Sequence, residues 1–242
     1  MIKVTDLSIR YGEEAALDHI SLSVESETSC SVIGASGCGK TTLLLALSGL
    51  LKPANGIIEI NGEQLKCVRK GTGLILQEYG LLPWKTVRDN ISFPLRSWGY
   101  LRTEAEDRTA DVLKTLGLEE CAGKFPGELS GGQKQRVAIG RALVLEPDLL
   151  LMDEASSSLD VITREHIQDL IRGICRERRV TLVLATHNIE EAVFLGSKII
   201  VMKSGRIKQA IDNPVFGKTG LRNDPDFYKT CVLVRGWLDE EA

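Results

Sequence analysis

Gly34-Ala35-Ser36-Gly37-Cys38-Gly39-Lys40-Thr41 has the composition of a cradle for a polyphosphate. Its glycines let the backbone curl so that successive N–H groups point inward, forming an anion nest at a helix N-terminus. In such a loop Lys40 faces the β- and γ-phosphates and the Thr41 hydroxyl is a ligand for Mg²⁺. A second group of reactive side chains is the pair Asp153-Glu154, which ends the apolar run Leu149-Leu150-Leu151-Met152. Adjacent acids often mark a solvated turn, but beside a phosphate loop they suit catalysis. Asp153 would then hold Mg²⁺ through water, and Glu154 would be the general base that polarises the attacking water. A third segment, Leu129-Ser130-Gly131-Gly132-Gln133, presents a hydroxyl and backbone N–H groups ahead of a helix. That geometry either caps the helix or binds another anion.

The flanking sequence supplies the elements these groups need. Ser29 to Ile33 reads as a strand running into Gly34, and Thr41 to Ser48 as an apolar helix stopped by Gly49 and Pro53. Strand, glycine loop and helix together give the GxxxxGK[ST] pattern its meaning. Alternating apolar residues at Ile2 to Ile9 and at Ile20 to Val24 predict an N-terminal β segment, and Ile57 to Ile60 a strand turning at Asn61-Gly62. From about Thr86 to Pro147 the pattern becomes helical, including Thr103 to Leu116 and Gly132 to Leu145. Strand patterns return at Leu149 to Met152, Val180 to Ala185 and Ile199 to Met202. The unbroken apolar run before Asp153 fits a buried parallel strand, whose carboxyl end is where ligands gather.

The order of these segments (phosphate loop, then LSGGQ at Leu129 to Gln133, then the apolar run closing on Asp153-Glu154) resembles that of ATP-binding-cassette (ABC) ATPases. The resemblance spans Tyr11 to His187, nearly the whole chain. It implies an α/β fold: a phosphate-loop NTPase core of mixed sheet and helices, an N-terminal antiparallel β segment and an inserted helical subdomain. The divisions expected are 1–85 and 148–213 for the ATP-binding core, 86–147 for the helical subdomain carrying the signature, and 214–242 for a short tail. The family's cofactors are ATP and Mg²⁺. By resemblance, Thr42 contacts the α-phosphate, Gln77 touches Mg²⁺ and the water, and His187 contacts the γ-phosphate. Tyr11 stacks on adenine or simply packs at its strand end. The signature acts in trans: Ser130 reaches the γ-phosphate held by a second copy, so a homodimer forms on ATP binding. Ser157-Ser158-Leu159-Asp160 resembles the loop that crosses that interface, and Asp160 equally suits a helix N-cap. Ala155-Ser156 departs from the family, which often carries a proline followed by Phe or Thr there.

Non-transport members of the family carry a second motif set or a heptad-rich insertion, and this sequence has neither. Translation and DNA-repair cassettes are therefore the alternative, and a transporter subunit the expectation. Leu81-Leu82-Pro83-Trp84 after Gln77 resembles bacterial importers for nitrate, taurine and other sulfonates. Leu81, Leu82 and Trp84 either meet a helix of a membrane permease or pack within the helical subdomain. An extracytoplasmic substrate-binding protein is the indirect partner, and the expected location is peripheral, on the cytoplasmic face of the inner membrane.

Composition agrees with these expectations. The chain has 242 residues and a formal net charge of −3. Its charges are interleaved, without the basic face that nucleic acid requires. No stretch approaches the ~20 apolar residues of a membrane span, and nothing after Met1 reads as a secretory leader. The six cysteines, Cys30, Cys38, Cys67, Cys121, Cys175 and Cys231, have no CxxC pair and no His at metal spacing, as expected for reduced thiols. Cys38 is the exception. Beside Lys40 at a helix N-terminus, it is expected to be a reactive thiolate, with buried Cys30 reacting more slowly.

Overall fold

A computed structural model describes residues 1–154 and 159–239. Alternation in β1 (Ile2–Tyr11) buries Ile2, Val4, Leu7 and Ile9 on one face. The next strand, β2 (Glu14–Val24), returns antiparallel to it. β3 (Ser29–Ile33) is buried throughout and runs through the phosphate loop into α1 (Lys40–Leu47). β4 (Asn55–Ile60) pairs with β1, and the short β5 (Glu63–Gln64) with β4. β6 (Thr72–Ile75) precedes three helices: α2 (Val87–Ser97), α3 (Arg102–Thr115) and α4 (Gly131–Leu143). Then follow β7 (Leu149–Asp153), α5 (Val161–Glu177), β8 (Thr181–Thr186), α6 (Ile189–Leu195), β9 (Lys198–Lys203), β10 (Arg206–Asp212) and α7 (Pro225–Asp239).

The strands form two sheets. One is antiparallel, in the order β2-β1-β4-β5; the other has the order β10-β9-β3-β8-β7-β6. In the second sheet β3 pairs parallel with β8 and β9, and β7 with β8 and β6, while β10 runs antiparallel at the edge. Two cores cover its two faces. Leu149 and Leu151 point towards α1 and the antiparallel sheet, whereas Leu150 and Met152 point towards the helices. A strand buried on both faces has no polar side, which is why Leu149–Met152 is an unbroken apolar run.

Parallel pairing also fixes what lies together at the carboxyl edge. Ile33 is level with Thr186, Asp153 with Ala185, and Ile75 with Met152. The chain leaving each of these strand ends therefore enters the same region of space.

Candidate active site

Lys40 lies at the centre of the phosphate loop, only 5% exposed. Its ammonium donates to the carbonyls of Gly34 at 2.9 Å and Ala35 at 3.1 Å, and lies 3.7 Å from the Glu154 carboxylate. Gly39, the residue before α1, has φ +102°, and a Cβ there would sit 2.6 Å from the Ala16 carbonyl. Only glycine meets both demands. The loop is held from outside as well, since the Gly205 N–H donates to the Cys38 carbonyl at 3.1 Å. Between Gly34 and Cys38, residues Ala35, Ser36 and Gly37 are exposed.

Glu154 is the hub of the site. Its backbone has φ +44°, a conformation uncommon for a side-chain-bearing residue, and is fixed by a 2.9 Å hydrogen bond from its N–H to Ala185 O. His187, just past the end of β8, approaches the Glu154 carboxylate with Nδ1 at 3.0 Å, and Gln77 donates to it through Nε2 at 3.5 Å. Sequence-distant Gln77, His187 and Lys40 thus converge on the Glu154 carboxylate. A cleft of about 570 Å³ opens here, bounded by Thr41 and Thr42 at the helix start and by exposed Tyr11 at its outer edge. That volume falls within the range of about 300–1,000 Å³ usual for small-molecule sites.

Asp153 is buried beside them, and its Oδ1 has no hydrogen-bond partner among the described residues. Burial pushes its carboxyl above the usual range, with the Thr41 hydroxyl and the Lys40 ammonium pulling the other way. A buried, unpartnered carboxylate oxygen is costly to leave unmatched. With the Thr41 hydroxyl and the Gln77 amide nearby, the donor set is all hard oxygen, which fits Mg²⁺.

The signature residues lie elsewhere. Ser130 is the N-cap of α4, accepting from the Gln133 N–H at 3.3 Å while Gln133 Oε1 accepts from the Ser130 N–H at 2.9 Å. Leu129 is buried, and Gly131 and Gly132 form the first turn of α4. A Cβ on Gly132 would meet Thr163 of α5 at 2.6 Å. None of residues 129–133 lines the cleft of its own protomer. Asp160 caps α5, accepting from the Thr163 N–H at 3.0 Å. Ser157 lies outside the described residues.

The three apolar residues of the Leu81-Trp84 segment differ in burial, so packing within the fold accounts for Leu81 and not for Trp84. Leu81 packs against the core, Leu82 is half-buried, and Trp84 is 71% exposed. Fully buried Asn90 of α2 fixes this loop. It accepts from the Leu82 N–H at 2.8 Å and donates to the carbonyls of Leu82, Lys85 and Thr86 at 3.0–3.1 Å.

The expectation of a reactive Cys38 is overturned. The side chain is only 6% exposed and turns into the core beside Gly34. Burial raises its pKa more than nearby Lys40 lowers it. Less thiolate at neutral pH means slower alkylation. Quantitative alkylation at pH 7.5, read by mass spectrometry, is expected to label exposed Cys67 first and Cys38 and Cys30 last. Rapid labelling of Cys38 would contradict this geometry.

Two positioning residues were not singled out from sequence. Arg141, on α4, donates to the Tyr79 carbonyl at 2.7 Å and also to that of Gly80, tying the loop after Gln77 to the signature helix. Buried Glu191 accepts from the Thr186 hydroxyl at 2.5 Å and from Gln168 at 3.4 Å, holding the turn that carries His187. Arginine in a helix interior gives no sequence signal for such a contact, whereas Glu190-Glu191 directly follows His187-Asn188-Ile189 and was within reach. Arg141→Gln is expected to lose interactions of about 1.5–3 kcal/mol. It should speed hydrogen exchange across residues 77–82, with nucleotide affinity little changed; unchanged exchange there would exclude the tether.

A glycine loop between a parallel strand and a helix, facing an acid pair two strands away, defines the phosphate-loop NTPases. The sequence model of the ABC transporter family matches residues 17–157. The taurine import ATP-binding protein TauB of Rhizobium johnstonii is 42% identical, across 98% of this chain and 96% of that protein. The Escherichia coli K12 TauB is 38% identical over 100% of this chain and 99% of its own. The chain belongs to the ABC transporter family. Among solved structures, the dimeric ATP-binding cassette MJ0796, in a post-hydrolysis state bound to ADP and Pi, superposes with TM-score 0.79 at 31% identity, covering 89% of this chain and 100% of that one.

Proposed function

We infer that this chain is the ATP-binding and ATP-hydrolysing subunit of an ABC importer, working as a dimer beneath membrane permease subunits. The observation that carries the reading is the convergence of Lys40, Gln77 and His187 on Glu154 beside the phosphate loop, with Ser130 of the same protomer outside the cleft. Backbone N–H groups of residues 34–39 and the Lys40 ammonium bind the β- and γ-phosphates, Thr42 the α-phosphate, and Tyr11 offers a ring face to adenine. Thr41, Asp153 and Gln77 would hold Mg²⁺, which neutralises charge on the phosphate oxygens. Glu154 takes the proton from the attacking water, and His187 orients that carboxylate and meets the γ-phosphate. Ser130 and the N-terminus of α4 complete the site of the second copy, with Asp160 at the start of α5 facing the same interface.

Among the described residues no helix is long and apolar enough to cross a membrane. The kinship to import ATP-binding proteins supports a peripheral place on the cytoplasmic face of the inner membrane, reached through a permease contacted by Leu81, Leu82 and Trp84. An exposed tryptophan on a loop pinned by four Asn90 hydrogen bonds is a rigid anchor of the kind that dominates interfaces. Trp84→Ala is expected to weaken co-purification with the permease at least tenfold while ATP affinity of the free subunit stays within twofold. The reverse pattern would place Trp84 in the fold rather than the interface.

The transported molecule is a small sulfonate of the taurine type, supported by the kinship to taurine import proteins along nearly their whole length. Reconstitution of the full importer with its binding protein, followed by ATP-dependent uptake of radiolabelled taurine, tests this. Uptake of nitrate or another solute with no competition by sulfonates would refute the substrate while leaving the ATPase reading intact.

A further inference from the structure

We propose that the C-terminal end of α7 is part of the surface on which a second copy of this chain docks when ATP is bound. This rests on the head-to-tail dimer inferred above. Trp237, Leu238 and Asp239 form one wall of a cavity of about 500 Å³ whose other walls are the phosphate loop at residues 34–38, His187 and the β9–β10 turn. The last turns of α7 thus stand at the rim of the nucleotide site, on the side of Ser36 and His187.

Geometry then constrains what covers this rim. The partner's Ser130 must come within hydrogen-bond distance of a γ-phosphate held between Lys40 and His187. Ser130 begins a helix, and a helix with its side chains is about 10–12 Å across. A body of that width, brought to the phosphate over Ser36 and Gly37, also overlies the neighbouring cavity. Side chains of the second copy fill this space, and one of the walls they meet is α7.

The residues on that wall suit the role. One helical turn before Trp237, outside the cavity wall itself, Leu233 is 48% exposed and extends the apolar surface along α7. Trp237 and Leu238 are half-buried against the core, leaving apolar surface uncovered. Tryptophan is enriched at the buried centre of interfaces. The helix is anchored well enough to serve: Phe227, Thr230 and Val234 are buried, and Lys208 donates to the Trp237 carbonyl at 3.3 Å. The occupant is continuous with the nucleotide-dependent interface, so no separate partner is required.

The chain has three tryptophans, so Trp84→Phe and Trp98→Phe leave Trp237 as the sole indole reporter. In a Glu154→Gln background, ATP is expected to produce a dimer on size-exclusion chromatography. Acrylamide quenching of Trp237 should fall at least twofold in that dimer, and ADP should produce neither change. Equal or greater quenching in the ATP dimer would overturn the proposal while leaving the head-to-tail reading standing; no ATP dimer at all would sink both. As a second variant, Leu238→Arg should raise the dimer dissociation constant at least tenfold, with a thermal melt showing that the monomer stays folded. If Leu238→Arg instead dimerises normally, or binds ATP more tightly because α7 had been shielding the loop, docking on α7 is wrong.

Discussion

Lys40→Ala is expected to lower Mg²⁺-ATP affinity by at least about 100-fold and to leave no measurable turnover. The ammonium is the one cation at the centre of the loop, and it is almost fully buried, so its contacts act in a medium that screens weakly. Hydrogen bonds to a charged group are worth about 1.5–3 kcal/mol each. Two such contacts, to the β- and γ-phosphates, account for a loss of about 3 kcal/mol or more, which is at least about 100-fold. Three groups would also lose a contact: the Gly34 and Ala35 carbonyls and the Glu154 carboxylate that Lys40 now approaches. Titration with Mg²⁺-ATP, alongside a thermal melt showing that the variant stays folded, measures the effect. Wild-type affinity in a folded Lys40→Ala protein would remove the phosphate loop from its assigned role.

How much of this was legible in the sequence depends on where the determinants lie. The phosphate loop and Asp153-Glu154 are local: glycine spacing and an apolar run carry their geometry, and strand pairing does the rest. Gln77 and His187 were placed only through kinship, because nothing near them in sequence says that β6 and β8 end beside β7. The helical segments expected at Thr103 to Leu116 and Gly132 to Leu145 appear as α3 and α4, shifted by one or two residues. Other elements gave weaker signals. β10 is an edge strand with mostly exposed or half-exposed residues, so it lacks a clear apolar period. In α7 apolar residues occur on more than one face, since part of it packs on the core and part remains uncovered; residues 214–242 therefore give only the expectation of a short tail. Cys38 failed for a different reason. Its neighbours in sequence favour a thiolate, but its side-chain direction is set by the turn of the loop, which sends the sulfur into the core. Arg141 shows the same limit, since its two carbonyl partners lie about sixty residues away in the chain.

Replacing Glu154 by glutamine is the other substitution with a large expected effect, and it tests catalysis and assembly together. Glutamine keeps the shape of the side chain and removes the carboxylate to which we assign the role of general base. Losses of a general base are typically about 10²–10⁴-fold in rate. The phosphate contacts from Lys40 and Thr41 are untouched, so ATP should still bind, and the negative charge now 3.7 Å from Lys40 would be gone. His187 keeps an acceptor, because the amide oxygen can replace the carboxylate oxygen now 3.0 Å from its Nδ1. With hydrolysis stopped, two ATP molecules should hold two copies closed, since opening follows loss of the γ-phosphate. Size-exclusion chromatography of Glu154→Gln is expected to show a dimer with ATP and a monomer without it. Adding Ser130→Arg should abolish that dimer, because in the proposed head-to-tail arrangement the bulky side chain would occupy the place where the helix N-terminus meets the partner's γ-phosphate. Each monomer should still bind ATP, since Ser130 does not line the cleft of its own protomer. A Glu154→Gln protein turning over ATP at the wild-type rate would remove Glu154 as the base. A dimer indifferent to Ser130→Arg would leave catalysis standing and overturn the head-to-tail arrangement.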